Sequence, residues 1–122
     1  MGSPNLRIKR VYEPPDAADG VRILVDRLWP RGLSRESAKI DLWLKEIAPS
    51  DALRRRLHRD PSAWDHFKTA YYAELEEPPA QSAIHDLLDR LTHEAVTLLY
   101  AARDEKRNNA VALKEWLENQ VG

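Results

Sequence analysis

Val21-Arg22-Ile23-Leu24-Val25-Asp26 and Val96-Thr97-Leu98-Leu99-Tyr100-Ala101 decide the fold of this chain. Both are short, rich in β-branched and apolar residues and bounded by turn signals, with Asp19-Gly20 before the first and the polar run Arg103 to Asn108 after the second. Each therefore reads as a strand. The second is nearly continuous in apolar character, as strands buried on two faces are.

Outward from these strands, helical patterns alternate with them. Ser34 is placed to cap a short helical turn from Arg35, and Ser50 to cap a helix over Asp51 to about Leu57. Asp60 followed by Pro61 makes the clearest helix start, and Trp64, Phe67, Tyr71 and Leu75 continue it as one apolar stripe. Pro78-Pro79 ends that helix, and Ile84, Leu87, Leu88 and Leu91 mark another. A last helix runs from about Asn109 to Glu118 and buries Ala110, Leu113 and Leu117. Leu6 to Tyr12 alternates as a short strand. Ile40 to Ile47 fits both period 2 and a helix; its shortness and the following Pro49 favour a strand.

Strands alternating with amphipathic helices imply an α/β fold of three layers, a small, mainly parallel sheet with helices on both faces. The two decisive strands are expected as parallel neighbours. The link from Tyr12 to Val21 is shorter than the dozen or so residues a parallel crossover normally takes. The first strand is thus either antiparallel or connected unusually.

The chain of 122 residues suits one domain over 6–122, behind a flexible tail or cloning remnant over 1–5. With 19 Lys+Arg against 20 Asp+Glu the net charge is −1, which gives no general support to a polyanion-binding role. No apolar stretch approaches the ~20 residues a membrane span needs, and Met1 to Lys9 shows no apolar leader. A cytoplasmic location is expected. Cysteine is absent, which excludes disulfides, thiolate zinc sites and a thiol nucleophile.

In open parallel sheets, ligands bind beyond the carboxyl ends of the strands. Two loops occupy that place here: one with Asp26, Arg27, Arg31 and Gly32, the other with Arg103, Asp104, Lys106 and Arg107. Each leads toward a helix N-terminus, which favours anions, and guanidinium groups match phosphate or carboxylate bidentately. Arg27, Arg31 and Arg103 are therefore candidates for an anion clamp, with Tyr100 or Tyr12 as a wall. Asp26 and Asp104 are candidates to orient the arginines or to act as general acid–base groups. The alternative is that these charges are ion pairs fastening loops.

Arg10-Val11-Tyr12-Glu13-Pro14-Pro15, Leu24-Val25-Asp26-Arg27-Leu28-Trp29-Pro30-Arg31-Gly32-Leu33-Ser34 and Trp43-Leu44-Lys45-Glu46-Ile47-Ala48-Pro49-Ser50 resemble the YeaO-like branch of the DUF488 family. His58-Arg59-Asp60-Pro61 with Trp64, and Leu98-Leu99-Tyr100-Ala101-Ala102-Arg103-Asp104, are similar to it too, so the resemblance covers nearly everything from Arg7 to Leu117. It implies a small cytosolic α/β domain and brings no established reaction. The Trp29-Pro30-Arg31-Gly32 and Arg103-Asp104 motifs fall on the loops chosen by strand topology, which favours a functional anion pocket. Where the wider family is similar to Cys-His-Arg, and the closer branch to Asn-His-Ala, this chain has Asn108-Asn109-Ala110. It thus lacks a thiol and an imidazole at that point. Asn108 and Asn109 are candidate ligand contacts that also suit a helix cap.

The leading expectation is a small enzyme acting on an anionic, phosphate- or nucleotide-like metabolite, with no cofactor implied. The alternative is a non-catalytic module that senses such a ligand, contacts nucleic acid or binds another protein. A clamp beside an unpaired carboxylate favours the enzyme, whereas a clamp whose carboxylates are all ion-paired favours the sensor. No dinucleotide, Walker or nucleophile-elbow motif is present. The run Arg54-Arg55-Arg56 with His58 and Arg59 invites a nucleic-acid reading. The chain is net acidic, however, has no helix-turn-helix pattern and brackets the run with Asp51 and Asp60. The run therefore reads as a solvated helix face, and nucleic acid is not an expected partner. His85, Asp89 and His93 lie at i, i+4, i+8 opposite an apolar stripe, and His58, Asp60 and His66 are no better placed, so no metal site is expected. Elemental analysis of the untagged protein should accordingly show no stoichiometric zinc or iron; either metal at one per chain would overturn this reading.

Overall fold

In the computed structural model the described residues are 5–121. Four of the residues read as a tail, 1–4, lie outside them. Strands β1 (Leu6–Arg10), β2 (Val21–Leu24), β3 (Leu42–Trp43) and β4 (Val96–Tyr100) form one sheet in the order β1-β4-β2-β3. Every pairing is parallel: β1 with β4, β4 with β2, and β2 with β3. The two decisive strands are thus neighbours, in a register that sets Val21 beside Val96 and Leu24 beside Leu99.

Alternation along the strands divides the core. Leu6, Ile23, Val25, Val96, Leu98 and Tyr100 face Phe67, Tyr71 and Leu75 of α3 (Trp64–Leu75), Ile84 and Leu87 of α4 (Pro78–Leu91), and Leu113 and Leu117 of α5 (Asn109–Val121). Leu53 and Leu57 of α2 (Asp51–Arg59) pack against the same cluster. Each aliphatic side chain fully buried here contributes about 1.5–3 kcal/mol. On the other face Val11, Leu24 and Leu99 meet Ala38 of the four-residue α1 (Arg35–Ala38), Ile40, the loop aromatic Trp29 and Trp43 of β3. The layers are therefore unequal, with four helices on one side and a single turn with its flanking loops on the other.

That thinner side buries charge. Arg22, in the middle of β2, is 3% exposed and places Nη1 2.6 Å from Oδ2 of Asp19, itself 3% exposed. Lys9 of β1 approaches the same carboxylate at 3.2 Å, and the Asp16 N–H donates to it at 3.0 Å. Thr97 of β4 donates to the Asp19 carbonyl, and Arg22 Nε donates to the carbonyls of Ala38 and Lys39. Burial pushes the Asp19 carboxyl up, but the Asp16 N–H, Lys9 and Arg22 outweigh it and hold the group below the ordinary aspartate value. Asp16 and Asp19 also form a capping box around a 3-10 turn, Ala17–Asp19.

This cluster accounts for the short first link. β4 inserts between β1 and β2, and the residues between Arg10 and Val21 cross it on the thin side, tied down through Asp19 rather than by a helix. β1 is accordingly parallel. Gly20 ends the link at φ +66, where an added Cβ would lie 2.2 Å from the Ala95 carbonyl oxygen; only glycine passes there without displacing the backbone.

Several boundaries differ from the sequence reading. Within Ile40 to Ile47 only Leu42–Trp43 is strand, because pairing with β2 ends there and a 3-10 turn, Lys45–Ile47, tucks Ile47 into the core. The second helix runs on to Arg59. The helix capped by Asp60 begins as a 3-10 turn, Pro61–Ala63. α3 stops at Leu75, and Pro78 and Pro79 open α4 instead of closing α3, since proline at the first helical positions forfeits no hydrogen bond. The last helix reaches Val121.

Replacing Asp19 by Ala leaves the Arg22 charge buried and unpaired, so urea unfolding should show a loss of about 3–5 kcal/mol. The depressed folded-state value gives the sign with pH. Asp19 stabilises the fold above the ordinary aspartate pKa, and that contribution disappears as pH falls through the lowered value. The Asp19→Ala protein should lose this acid-sensitive part of its stability curve.

Candidate functional site

The carboxyl ends of β2 and β4 bring Asp26 and the start of α5 together. Asp26 follows β2 directly, and its Oδ2 accepts the Ala101 N–H, at the end of β4, at 2.9 Å. Its Oδ1 accepts from Asn109 Nδ2 at 3.0 Å, and the same amide donates to the Val25 carbonyl. Trp43 of β3 holds the Asp26 carbonyl through its indole N–H at 2.7 Å. One carboxylate thus joins β2, β4 and α5. Burial pushes its pKa above the ordinary value, and the bonds from Asn109 and Ala101 and the Arg54 charge offset only part of that.

Asn108 is the helix cap. Its Oδ1 accepts the Val111 N–H at 2.9 Å, and its Nδ2 donates to the Asp104 carbonyl. Asn109 does something else, clamping Asp26 from the first position of the helix. Asp104 is exposed and turns the loop, with Oδ1 accepting the N–H groups of Lys106 and Arg107, both at 2.9 Å. These two bonds hold its carboxyl below the ordinary value. Tyr100 is buried, and burial pushes its hydroxyl up.

The arginines are disposed differently from the carboxylates. Arg27 donates Nε to the Pro49 carbonyl at 3.2 Å, Arg107 donates Nη1 to the Pro61 carbonyl at 3.1 Å, and Arg10 donates Nε to the Ala102 carbonyl at 3.1 Å. Arg31 and Arg103 are exposed, and among the described residues no acid pairs with either side chain. The Arg31 carbonyl accepts the Tyr12 hydroxyl at 3.0 Å, which draws the loop after β2 over the end of β1. The structure therefore sets all three expected clamp residues, Arg27, Arg31 and Arg103, on the carboxyl-edge loops.

Three contributors escaped the sequence reading. Arg54 is half-buried, bonded to Asp51 at 2.6 Å, and turns its charge toward Asp26; the i, i+3 spacing from Asp51 was its only signal. Tyr71 donates to the Ile47 carbonyl beneath this edge, and burial, with the Asp26 charge, raises its pKa well above the ordinary value. Arg10 reaches the edge by a contact across the sheet that no local pattern reveals. Two open clefts lie elsewhere, about 330 Å³ beside Lys9, Asp19 and Thr97 and about 390 Å³ beside Ile84, Leu88 and Trp116. Among the described residues, no three His, Asp or Glu side chains converge as a metal shell, and no helix is long and apolar enough to cross a membrane.

A parallel α/β domain whose carboxyl edge carries an Asp–Asn lock among loop arginines is the class of protein these features define. The chain belongs to the DUF488 family, YeaO-like branch: the family model described as the inactive DUF488-N3 subclade matches residues 5–122. It is 40% identical over 115 residues to the uncharacterized protein YeaO of Escherichia coli (strain K12), covering 94% of this chain and 98% of that one. It is 36% identical over 115 residues to the uncharacterized protein Rv3073c of Mycobacterium tuberculosis (strain ATCC 25618 / H37Rv), covering 94% and 95% respectively. No solved structure matches.

The raised Asp26 value sets a pH dependence opposite to that of Asp19. The folded protein keeps a proton that the unfolded chain releases near the ordinary aspartate pKa, so this group costs stability as pH rises above that value. Asn109→Ala removes the main bond to the carboxylate. Its urea midpoint should fall by the equivalent of about 1.5–3 kcal/mol at neutral pH and by less below about pH 4. An equal loss at both pH values would mean that Asn109 acts on packing alone.

Proposed function

We propose that this protein is a non-catalytic, anion-recognising module of the cytoplasm, with the carboxyl-edge loops as its binding surface. One observation carries the reading: the carboxylates Asp26 and Asp104 are taken up by backbone and amide donors, and the arginines of this edge form no direct ion pair among the described residues. Both oxygens of Asp26 already accept bonds from Ala101 and Asn109, and Asp104 is spent on the turn before α5. Arg10, Arg27 and Arg107 are anchored by neutral carbonyls, so each is held in place without a direct ion pair, with Asp51 acting on Arg27 and Asp104 on Arg107 only from a distance. A cation fixed in this way meets an anion with little further loss of side-chain freedom.

The helix behind the loop adds to this. α5 begins at Asn109, directly after the Arg103–Arg107 loop, and its dipole raises the positive potential there. Asn108 and Asn109 stand where the wider family resembles a thiol–imidazole pair, and neither amide can transfer a proton at neutral pH. The description of the matched subclade as inactive agrees with this reading. An acid–base role for Asp26 would require it to give up bonds that join three elements of the fold.

Phosphate or sulfate should raise the Tm of the wild type above that in chloride at equal ionic strength, which separates binding from screening. Arg31→Ala and Arg103→Ala should remove most of that rise without lowering the Tm in chloride. Phosphorus NMR of phosphorylated metabolites incubated with the protein should show no turnover. A full phosphate effect in both variants would make these arginines structural, and turnover abolished by Asp26→Asn would make the protein an enzyme.

A further inference from the structure

The cations of this chain are sorted by place. Those paired with acids, Arg54, Arg55, Lys68, Arg90 and Lys114, lie on α2 to α5, and Lys9 and Arg22 are bound to Asp19 on the thin face of the sheet. Those of the carboxyl edge face carbonyls or solvent. The edge carries the acids Glu13, Asp104 and Glu105 as well, but its arginines form no direct ion pair with them.

Direct contacts make that edge continuous. Arg10 to Ala102 joins the ends of β1 and β4, and Tyr12 to Arg31 joins the loop after β1 to the loop after β2. Arg107 to Pro61 extends it to the junction of α2 and α3, where Arg56 Nη1 faces His66 Nε2 at 3.3 Å and lies within electrostatic reach of Asp60. Neighbouring strands lie about 4.8 Å apart, so the ends of β1, β4 and β2 alone span about 10 Å. A single phosphate cannot engage a surface of that breadth, whereas a chain of phosphates can.

Apolar and aromatic groups are interleaved with the charge. Tyr12 is 41% exposed, with the Arg10 guanidinium carbon 4.8 Å from its ring centroid, and Leu28, between Arg27 and Arg31, is 58% exposed. A planar ring beside arginines is the arrangement on which unpaired bases stack while the backbone is neutralised. The cations sit on loops after strand ends and not along one helix shaped to enter a duplex groove. Resting on the reading of this edge as an anion-recognising surface, we infer that its ligand is single-stranded nucleic acid, held by its phosphates on Arg10, Arg31 and Arg103 with a base stacked on Tyr12.

Fluorescence anisotropy with labelled oligouridylate and oligothymidylate of about 12 nucleotides, within the usual site size, tests this on the full chain. The logarithm of the binding constant should fall linearly with the logarithm of salt concentration, with a slope of about 0.7 per phosphate contact, and Arg31→Ala and Arg103→Ala should each reduce the slope by about that amount. Tyr12→Ala should weaken binding roughly tenfold or more with the slope unchanged, while Tyr12→Phe keeps the ring and the affinity. Arg90→Ala, away from this edge, should bind as the wild type does. Inorganic phosphate and phosphatidylserine vesicles supply the remaining arms. Stabilisation by phosphate without oligonucleotide binding would overturn this inference and leave the anion-recognition reading standing; a response to neither would overturn both. Binding to vesicles but not to oligonucleotides would overturn the inference in favour of a lipid surface.

Discussion

The buried Asp19–Arg22 pair is the interaction on which the rest of this fold depends. A guanidinium in the middle of an apolar strand carries a desolvation cost that only a close, hydrogen-bonded partner offsets. Asp19 meets that need, and in doing so collects Lys9 from β1, Thr97 from β4 and, through Arg22, the end of α1. β1, β2, β4 and α1 are thus tied to one residue, through its carboxylate and its main-chain carbonyl. The order of the sheet follows, because a link too short to carry a helix can cross β4 only if it is pinned to the strands beneath it.

The carboxyl edge uses the same groups in the opposite sense. Inside the thin layer acids and bases are matched and dry. At the edge Asp26 and Asp104 are taken up by backbone and amide donors, and Arg10, Arg27 and Arg107 are held by carbonyls, which orient a guanidinium without a direct ion pair. Asp26 is the hinge between the two regimes: it staples β2, β4 and α5 at the cost of burying a carboxylate whose ionisation works against the fold at neutral pH. The loops it secures are the ones that display Arg27, Arg31 and Arg103. The tie that joins three elements and the exposed arginines are therefore adjacent in the fold and have different partners.

Much of the framework was legible in sequence. β2 and β4 stand out because strands buried on two faces must be apolar throughout, and caps at Ser34, Ser50 and Asp60 announce helix starts because their side chains accept the free N–H groups. Their parallel pairing then follows from the helices between them, and the position of the arginine loops from that pairing. The Pro78-Pro79 pair was harder, since proline both terminates one helix and begins the next. Ile40 to Ile47 was ambiguous because an edge strand with two paired residues leaves almost no period to read.

By itself, the sequence determined the α/β class, the neighbouring strands and the edge that carries the arginines, since each rests on local periodicity and on the chirality of short connections. Only the tertiary structure decided what those charges do. Arg22 and Arg31 are the same residue type, yet one is buried against Asp19 and the other is exposed. Asp26 and Asp104 diverge likewise, one joining three elements and one turning a loop. The difference lies in partners far apart in the chain, Lys9 and Thr97 with Asp19, Asn109 with Asp26. A charge takes its character from its surroundings, and those surroundings exist only once β4 has inserted between β1 and β2.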